Sequence, residues 1–304
     1  MGPTDDDGEG WLRDAPRVRV TPSVRRVSAF FRASALDGRD VPPREWLAED
    51  LIPSRTVTLL SGDGGVGKSL LALQLAVAVA TGGAWIGRAV REGPAMVLSA
   101  EDDVDELHRR LDAILRADDL DFAAAGDLTL RSLAGEDALL AALDRKSNML
   151  APTPLLAELD ARLGEERPAV LILDTLADYF GGVENDRAQA RAFIGILRGL
   201  AIAHGCAVVV LAHPSVAGMA SGSGLSGSTA WNASVRSRLY LDRLKDADGF
   251  EADAEARVLR TVKSNYARSG GEIALTWRGG VFVADPSETG LDRRAGGAKA
   301  ARVF

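Results

Sequence analysis

The sequence predicts an α/β chain: a mostly parallel central sheet covered by helices on both faces, with a C-terminal strand extension. Three observations carry this. Short continuous apolar runs stand at residues 56–61, 95–99, 169–173 and 207–212, without the polar alternation of a half-exposed strand. Segments with helical spacing separate these runs. The last four strand-like runs, from residue 238 on, follow one another with no helix between them.

In chain order, residues 1–16 are acidic and rich in Gly and Pro, the composition of a flexible tail. Residues 17–50 mix basic and apolar positions without one period. Phe30, Phe31, Leu36, Trp46 and Leu47 mark them as an arm that packs on the main domain or on a neighbouring subunit. One domain is expected over 51–289, since no repeat or second apolar centre calls for another. Its first strand, 56–61, runs through a glycine loop into a buried helix at 69–81. Gly93 and Pro94 introduce the strand 95–99, and Leu107, Leu111, Ile114 and Leu115 give 103–117 a helical apolar stripe. A strand is read at 128–132, then weaker helices at 137–145 and 153–163 around a polar loop at 146–148. The strand 169–173 ends at Asp174, a helix covers 186–203, and the strand 207–212 ends at His213. Strands at 238–241, 256–262, 272–277 and 281–283 make the extension. Residues 290–304 form a second flexible tail.

Composition narrows the function. With 46% hydrophobic and 26% charged residues, the chain is neither disordered nor a disulfide scaffold, and its one cysteine, Cys206, reads as a free thiol in a reducing cytoplasm. Asp5, Asp6 and Asp7 stand where a signal peptide needs a basic and then an apolar segment. The longest apolar stretch, 70–80, is too short to span a bilayer, so no membrane partner is expected. A formal charge of −7 argues against a basic coat for nucleic acid but leaves room for a local basic channel. Only five lysines accompany 31 arginines, which draws the eye to a lysine inside a glycine loop.

That loop is Gly62, Asp63, Gly64, Gly65, Val66, Gly67, Lys68 and Ser69, the spacing G-x-x-x-x-G-K-S of a phosphate-binding turn between strand and helix. Successive N–H groups and the positive end of the helix converge there on bound phosphate. Lys68 can reach the β- and γ-phosphates, and the Ser69 hydroxyl can take one Mg2+ position. Asp174 ends a strand that can lie beside the loop's own strand, where its carboxylate can hold Mg2+ directly or through water. The plainer alternative is a turn or cap residue, and Asp178 is a weaker substitute. Glu101 can activate a water for attack on the γ-phosphate, or it is a solvated residue beside an Asp102 or Asp103 N-cap. His213 can sense the γ-phosphate and pass its loss to the Gly/Ser-rich loop at 221–228, or it is structural. His108 and His204 add no compact metal-ligand spacing. Arg187, Arg191, Arg236 and Arg238 can supply positive charge near that loop, or are ordinary solvated residues.

These residues resemble the RecA-like P-loop ATPases, and among them the plasmid-encoded hexameric replicative helicase RepA with its phage and prophage relatives. The similarity runs from about residue 42 to 283. Residues 62–69 look like the Walker A loop, and Leu171, Ile172, Leu173 and Asp174 like the Walker B strand. Ser99 to Asp102 resembles the strand end with the catalytic glutamate, here Glu101, and Leu211 to His213 the histidine sensor. The resemblance further implies ATP and Mg2+ as ligands, with Arg236 as an arginine finger acting on an adjacent subunit and Arg238 as its substitute. It also implies an interface role for Lys263, a ring of six around single-stranded DNA, and a replication initiator or loader protein as partner.

Three functions follow: a DNA-stimulated oligomeric ATPase with helicase-like action; a RecA-like ATPase for recombination, loading or regulation without unwinding; and a nucleotide-gated structural module. Glu101 argues against the third. The length leaves no room for a separate primase- or origin-binding domain, and the loop after His213 is richer in Gly and Ser than in basic residues. ATP hydrolysis is therefore better supported than unwinding.

Overall fold

A computed structural model describes residues 30–144, 146–213, 229–244, 251 and 253–284. The expected tails at 1–16 and 290–304 and the loop at 221–228 lie outside the described residues. The chain divides into two compact units, one ending at Arg39 and one beginning at Asp40. In the first, the 3-10 turn Ala33–Leu36 leaves Phe31 and Leu36 exposed. The second holds every other element, including Trp46 and Leu47, which the sequence places in the arm.

Within it, β1 (Trp46–Ala48) pairs antiparallel with β2 (Ile52–Pro53). Then come β3 (Val57–Gly62), α1 (Lys68–Thr81) and a small hairpin of β4 (Ala84–Trp85) and β5 (Arg88–Ala89). β6 (Ala95–Ser99), α2 (Val104–Ala117) and β7 (Leu128–Ser132) follow, then β8 (Ala141–Asp144), β9 (Met149–Pro152) and α3 (Pro154–Glu166). β10 (Val170–Asp174), α4 (Leu176–Tyr179), β11 (Phe180–Gly181), α5 (Arg187–His204) and β12 (Ala207–Ala212) complete the α/β part. After α6 (Thr229–Ser234) the chain closes with β13 (Ser237–Arg243), β14 (Ala256–Ser264), β15 (Glu272–Arg278) and β16 (Val281–Ala284).

Nine strands form one sheet in the order β16-β15-β14-β13-β3-β12-β10-β6-β7. From β13 to β7 neighbouring strands run parallel; β14, β15 and β16 extend the sheet antiparallel, as the helix-free run of strands predicts. Alternate residues face opposite sides. Leu60, Val97, Ile172, Val209 and Leu211 share one core with Leu71 and Leu75 of α1 and Leu111 of α2. Leu59, Leu98, Leu171, Leu173, Val208 and Val210 meet Leu159 of α3 and Phe193 and Leu197 of α5 on the other. Each such fully buried side chain contributes about 1.5–3 kcal/mol. Because both faces are covered, β10 and β12 carry no polar position before their ends, which is why they read as unbroken apolar runs. Among the described residues no helix is long and apolar enough to cross a membrane.

Two expectations are corrected. The strand ending at Asp174 does not lie beside the phosphate-loop strand: β12 sits between them, pairing Leu211 with Leu60 and Ala207 with Val170. The segment 137–145 is not a helix. Its second half is β8, which pairs with β9 through Leu143 and Leu150 and with β11 through Ala141 and Phe180. Its turn is closed by the Asp144 carboxylate, which accepts from the Lys146 N–H at 3.0 Å and the Ser147 hydroxyl at 2.7 Å.

Candidate active site

Parallel strands deliver their C-terminal ends to one edge of the sheet, and this edge collects the residues that the sequence singles out. β3 ends in the glycine loop, β12 at His213, β10 at Asp174, and Glu101 lies just past the end of β6. The loop enters α1 through Gly67, whose φ of 100° is left-handed, and among the described residues no side chain caps the first turn of that helix. Its N-terminal amides thus remain free to bind an anion. Gly67 has a second reason to lack a side chain, since a Cβ would come within 2.5 Å of the Phe282 ring.

Lys68 is buried and spends its three N–H bonds locally. Its Nζ donates to the Gly62 carbonyl at 2.8 Å and the Asp63 carbonyl at 2.9 Å, and lies 3.3 Å from His213 Nδ1. An ammonium only donates, so Nδ1 accepts and a neutral His213 ring carries its proton on Nε2. That atom stands 3.5 Å from Glu101 Oε1. Lys68, His213 and Glu101 therefore form one chain of contacts across the ends of β3, β12 and β6. Burial lowers the pKa of Lys68, while Asp174, Glu101 and Asp63 oppose that effect.

Asp174 is 4% exposed, and its Oδ1 has no hydrogen-bond partner among the described residues. Burial pushes its carboxyl up to about 7 against the Ser69 hydrogen bond, with Glu101 and Asp102 adding to the rise. An orphaned buried carboxylate oxygen beside the helix-opening serine suits a hydrated Mg2+ on a bound nucleotide, and the donor set of hard oxygens agrees. Asp178, by contrast, is committed to a helix cap, its Oδ2 accepting from the Thr175 hydroxyl at 2.8 Å. Asp103 is the N-cap of α2, accepting from the Glu106 N–H at 2.8 Å, which leaves Glu101 unconstrained by capping.

The C-terminal strands β13 to β16 brace the loop, a role that no motif announces. Tyr240 donates its hydroxyl to Asp63 Oδ1 at 3.0 Å, Arg257 Nε donates to the Val66 carbonyl at 3.2 Å, and Gln74 exchanges two hydrogen bonds with the Phe282 backbone. Gly62 lies so close to the Leu241 carbonyl that any side chain there would collide with it. Tyr240→Phe is expected to weaken ADP binding about fivefold, the worth of one hydrogen bond near 1 kcal/mol, with little change in melting temperature. Titration with a fluorescent ADP measures this, and unchanged affinity contradicts it.

Arg236 is not brought to the loop of its own chain. Ser237 pairs with Thr58 and Leu241 with Gly62, so Arg236, whose N–H donates to the Val57 carbonyl, lies at the opposite edge, five residues or roughly 17 Å along β3. Arg238 is buried within β13. Lys263 joins them there, but its Nζ donates to the carbonyls of Asn232, Ala233 and Val235 at 2.8, 3.2 and 2.9 Å, closing the end of α6. Arg187 and Arg191 lie on the first turns of α5.

A family model for the AAA domain matches residues 21–219, well over half of the chain. The chain belongs to the AAA domain family. A solved KaiC-like protein from the hyperthermophilic archaeon Pyrococcus horikoshii OT3 superposes with a TM-score of 0.53 at 16% identity, over 82% of this chain and 99% of that one. This AAA domain therefore has the RecA-like P-loop NTPase fold, with a mixed central sheet covered by helices. The family match takes in residues 62–69, Glu101, Asp174 and His213, and ends before Arg236 and Lys263.

Proposed function

We propose that this chain hydrolyses ATP with Mg2+ as an oligomer and serves DNA transactions as a recombination, loading or regulatory ATPase. The contact chain Lys68–His213–Glu101 is the observation that carries the reading. Residues 62–69 bind the phosphates, Lys68 neutralises the β- and γ-phosphates, and Ser69 and Asp174 hold the Mg2+. The cation supplies charge neutralisation on the phosphate oxygens. Glu101, half-exposed at the mouth of the site, orients and deprotonates the attacking water. A γ-phosphate competes with His213 for the third N–H of Lys68, so its presence or loss is felt at His213, where the segment 214–228 begins.

Arg236, at the far edge of its own sheet, completes the site of a neighbouring subunit in a ring of six, with single-stranded DNA organising that ring. A replicative helicase of the RepA kind is the second reading. It is favoured by the grouping of Arg236, Arg238 and Lys263 at the edge opposite the phosphate loop, as the resemblance to that family implies for an interface. A strand-displacement assay separates the two: ATPase activity that single-stranded DNA stimulates, without unwinding of a forked duplex, supports the first.

Glu101→Gln tests the hydrolytic assignment. Turnover is expected to fall roughly 100-fold, the usual weight of general-base assistance, while ATP affinity stays within about twofold. Turnover near the parental rate overturns the assignment of the base, and absence of nucleotide binding in the parent protein overturns the whole reading.

A further inference from the structure

Behind Ser69 the fold encloses a small cavity with about 10 Å³ of room for a water centre, lined on its polar side by Ser69, Ser99, Asp102 and Asp174. That space admits one water and little else. Two carboxylates and two hydroxyls converge on it. Asp174 Oδ1 is the unpartnered atom among them, in a side chain that is almost fully buried. Ser99 is buried too; its oxygen accepts from the Asp102 N–H at 3.0 Å, which leaves the hydroxyl proton to donate elsewhere.

Asp102 is unusually well fixed for a residue just past a strand end. Its N–H is held by Ser99, its carbonyl accepts from the Ser132 hydroxyl at 2.9 Å, and its carboxylate is 2.7 Å from Arg110. Arg110 is in turn steadied by Glu106 at 2.9 Å. The Asp102 side chain is 13% exposed, against 47% for Glu101 next to it. The two neighbouring acids are thus divided: Glu101 opens to solvent beside His213, and Asp102 turns inward toward Asp174.

We propose that this cavity is a buried water site, and that Asp102, held by Arg110, positions Asp174 through that water. A water has one proton for each carboxylate and a lone pair for the Ser99 hydroxyl, so a single molecule binds one lone pair of Asp174 Oδ1, leaves the other for the hydrated cation, and makes the three bonds usual for buried water. Asp102 and Arg110 are positioning residues: they touch neither nucleotide nor cation, and they set the direction in which Asp174 presents its oxygens. Shells of this kind usually change metal affinity by 10–100-fold when removed. The inference rests on the reading that Ser69 and Asp174 hold the nucleotide's Mg2+.

The test is the affinity of the whole protein for a fluorescent ADP, titrated with Mg2+ and repeated in EDTA. Asp102→Ala and Arg110→Ala are expected to raise the half-saturating Mg2+ concentration about 10-fold and to leave the affinity in EDTA unchanged. Arg110→Lys should recover part of the loss. Asp102→Asn, which keeps the side chain's shape, covers the event that the alanine variant does not fold. A half-saturating Mg2+ within twofold of the parent in both Asp102→Asn and Arg110→Ala overturns the inference, as does a high-resolution crystal structure with a dry cavity. If Mg2+ leaves ADP affinity unaltered in the parent protein, the assignment of Ser69 and Asp174 has failed, and this inference falls with it.

Discussion

Arg236→Ala is expected to lower ATP turnover by about 10³-fold or more, the weight of an arginine that neutralises charge on a transferring phosphoryl group. The cause lies in the sheet. Arg236 and the phosphate loop occupy opposite edges, so the guanidinium cannot serve the loop of its own chain without dismantling β13. A second copy can bring it there. Lys68→Ala is expected to be inactive for a different reason, since it removes the positive charge from the loop itself. Mixed assemblies of the two variants contain interfaces that pair an intact loop with an intact Arg236, and these should regain turnover. Verified co-assembly without recovery refutes the trans role, and so does parental turnover by Arg236→Ala alone.

Asp174→Asn is expected to act in opposite directions on turnover and on stability. Burial holds the Asp174 carboxyl near 7 in the folded chain, against about 3.9 when unfolded. Between those values the folded protein binds the extra proton, so its stability falls as pH rises through the window. The cost is absent below about pH 4 and fully in force above pH 7, where it reaches roughly 4 kcal/mol. Asn removes this titration. In metal-free buffer at pH 8 the variant should melt higher than its parent, by about 2–4 °C for each kcal/mol recovered, and should lose the parent's fall in melting temperature between pH 5 and 8. Mg2+-dependent turnover should drop about 100-fold at the same time. A variant that melts no higher than the parent at pH 8 contradicts the account.

Much of this site is legible in the order of the residues alone. The phosphate loop is read from eight adjacent residues, and Glu101, Asp174 and His213 from their places at the ends of apolar runs; both signals are local. What the sequence hides is pairing between distant segments. Nothing local in residues 207–212 says that β12 separates β3 from β10. The run of Ala and Leu at 138–143 favours a helix by propensity, yet partners at Leu150 and Phe180 draw its second half into a sheet, and propensity is the weaker force. Tyr240, Arg257 and Phe282 brace the loop from about 180 residues away or more, as ordinary strand residues in the sequence. The difference in exposure between Glu101 and Asp102 is equally hidden, because Asp102 is held by Arg110 from the next helix.

The bond pair between Gln74 and Phe282 spans 208 positions of the chain. A ribosome reads residues 62–69 early, but the ring that crowds Gly67 and the backbone that closes on Gln74 are among the last parts of the domain to be made. During synthesis the loop therefore emerges long before its buttress, and a nascent or truncated chain that stops before β13 carries the whole motif without the frame that shapes it. A protein clipped ahead of Phe282 thus keeps its signature and lacks the ring and the two hydrogen bonds that frame it.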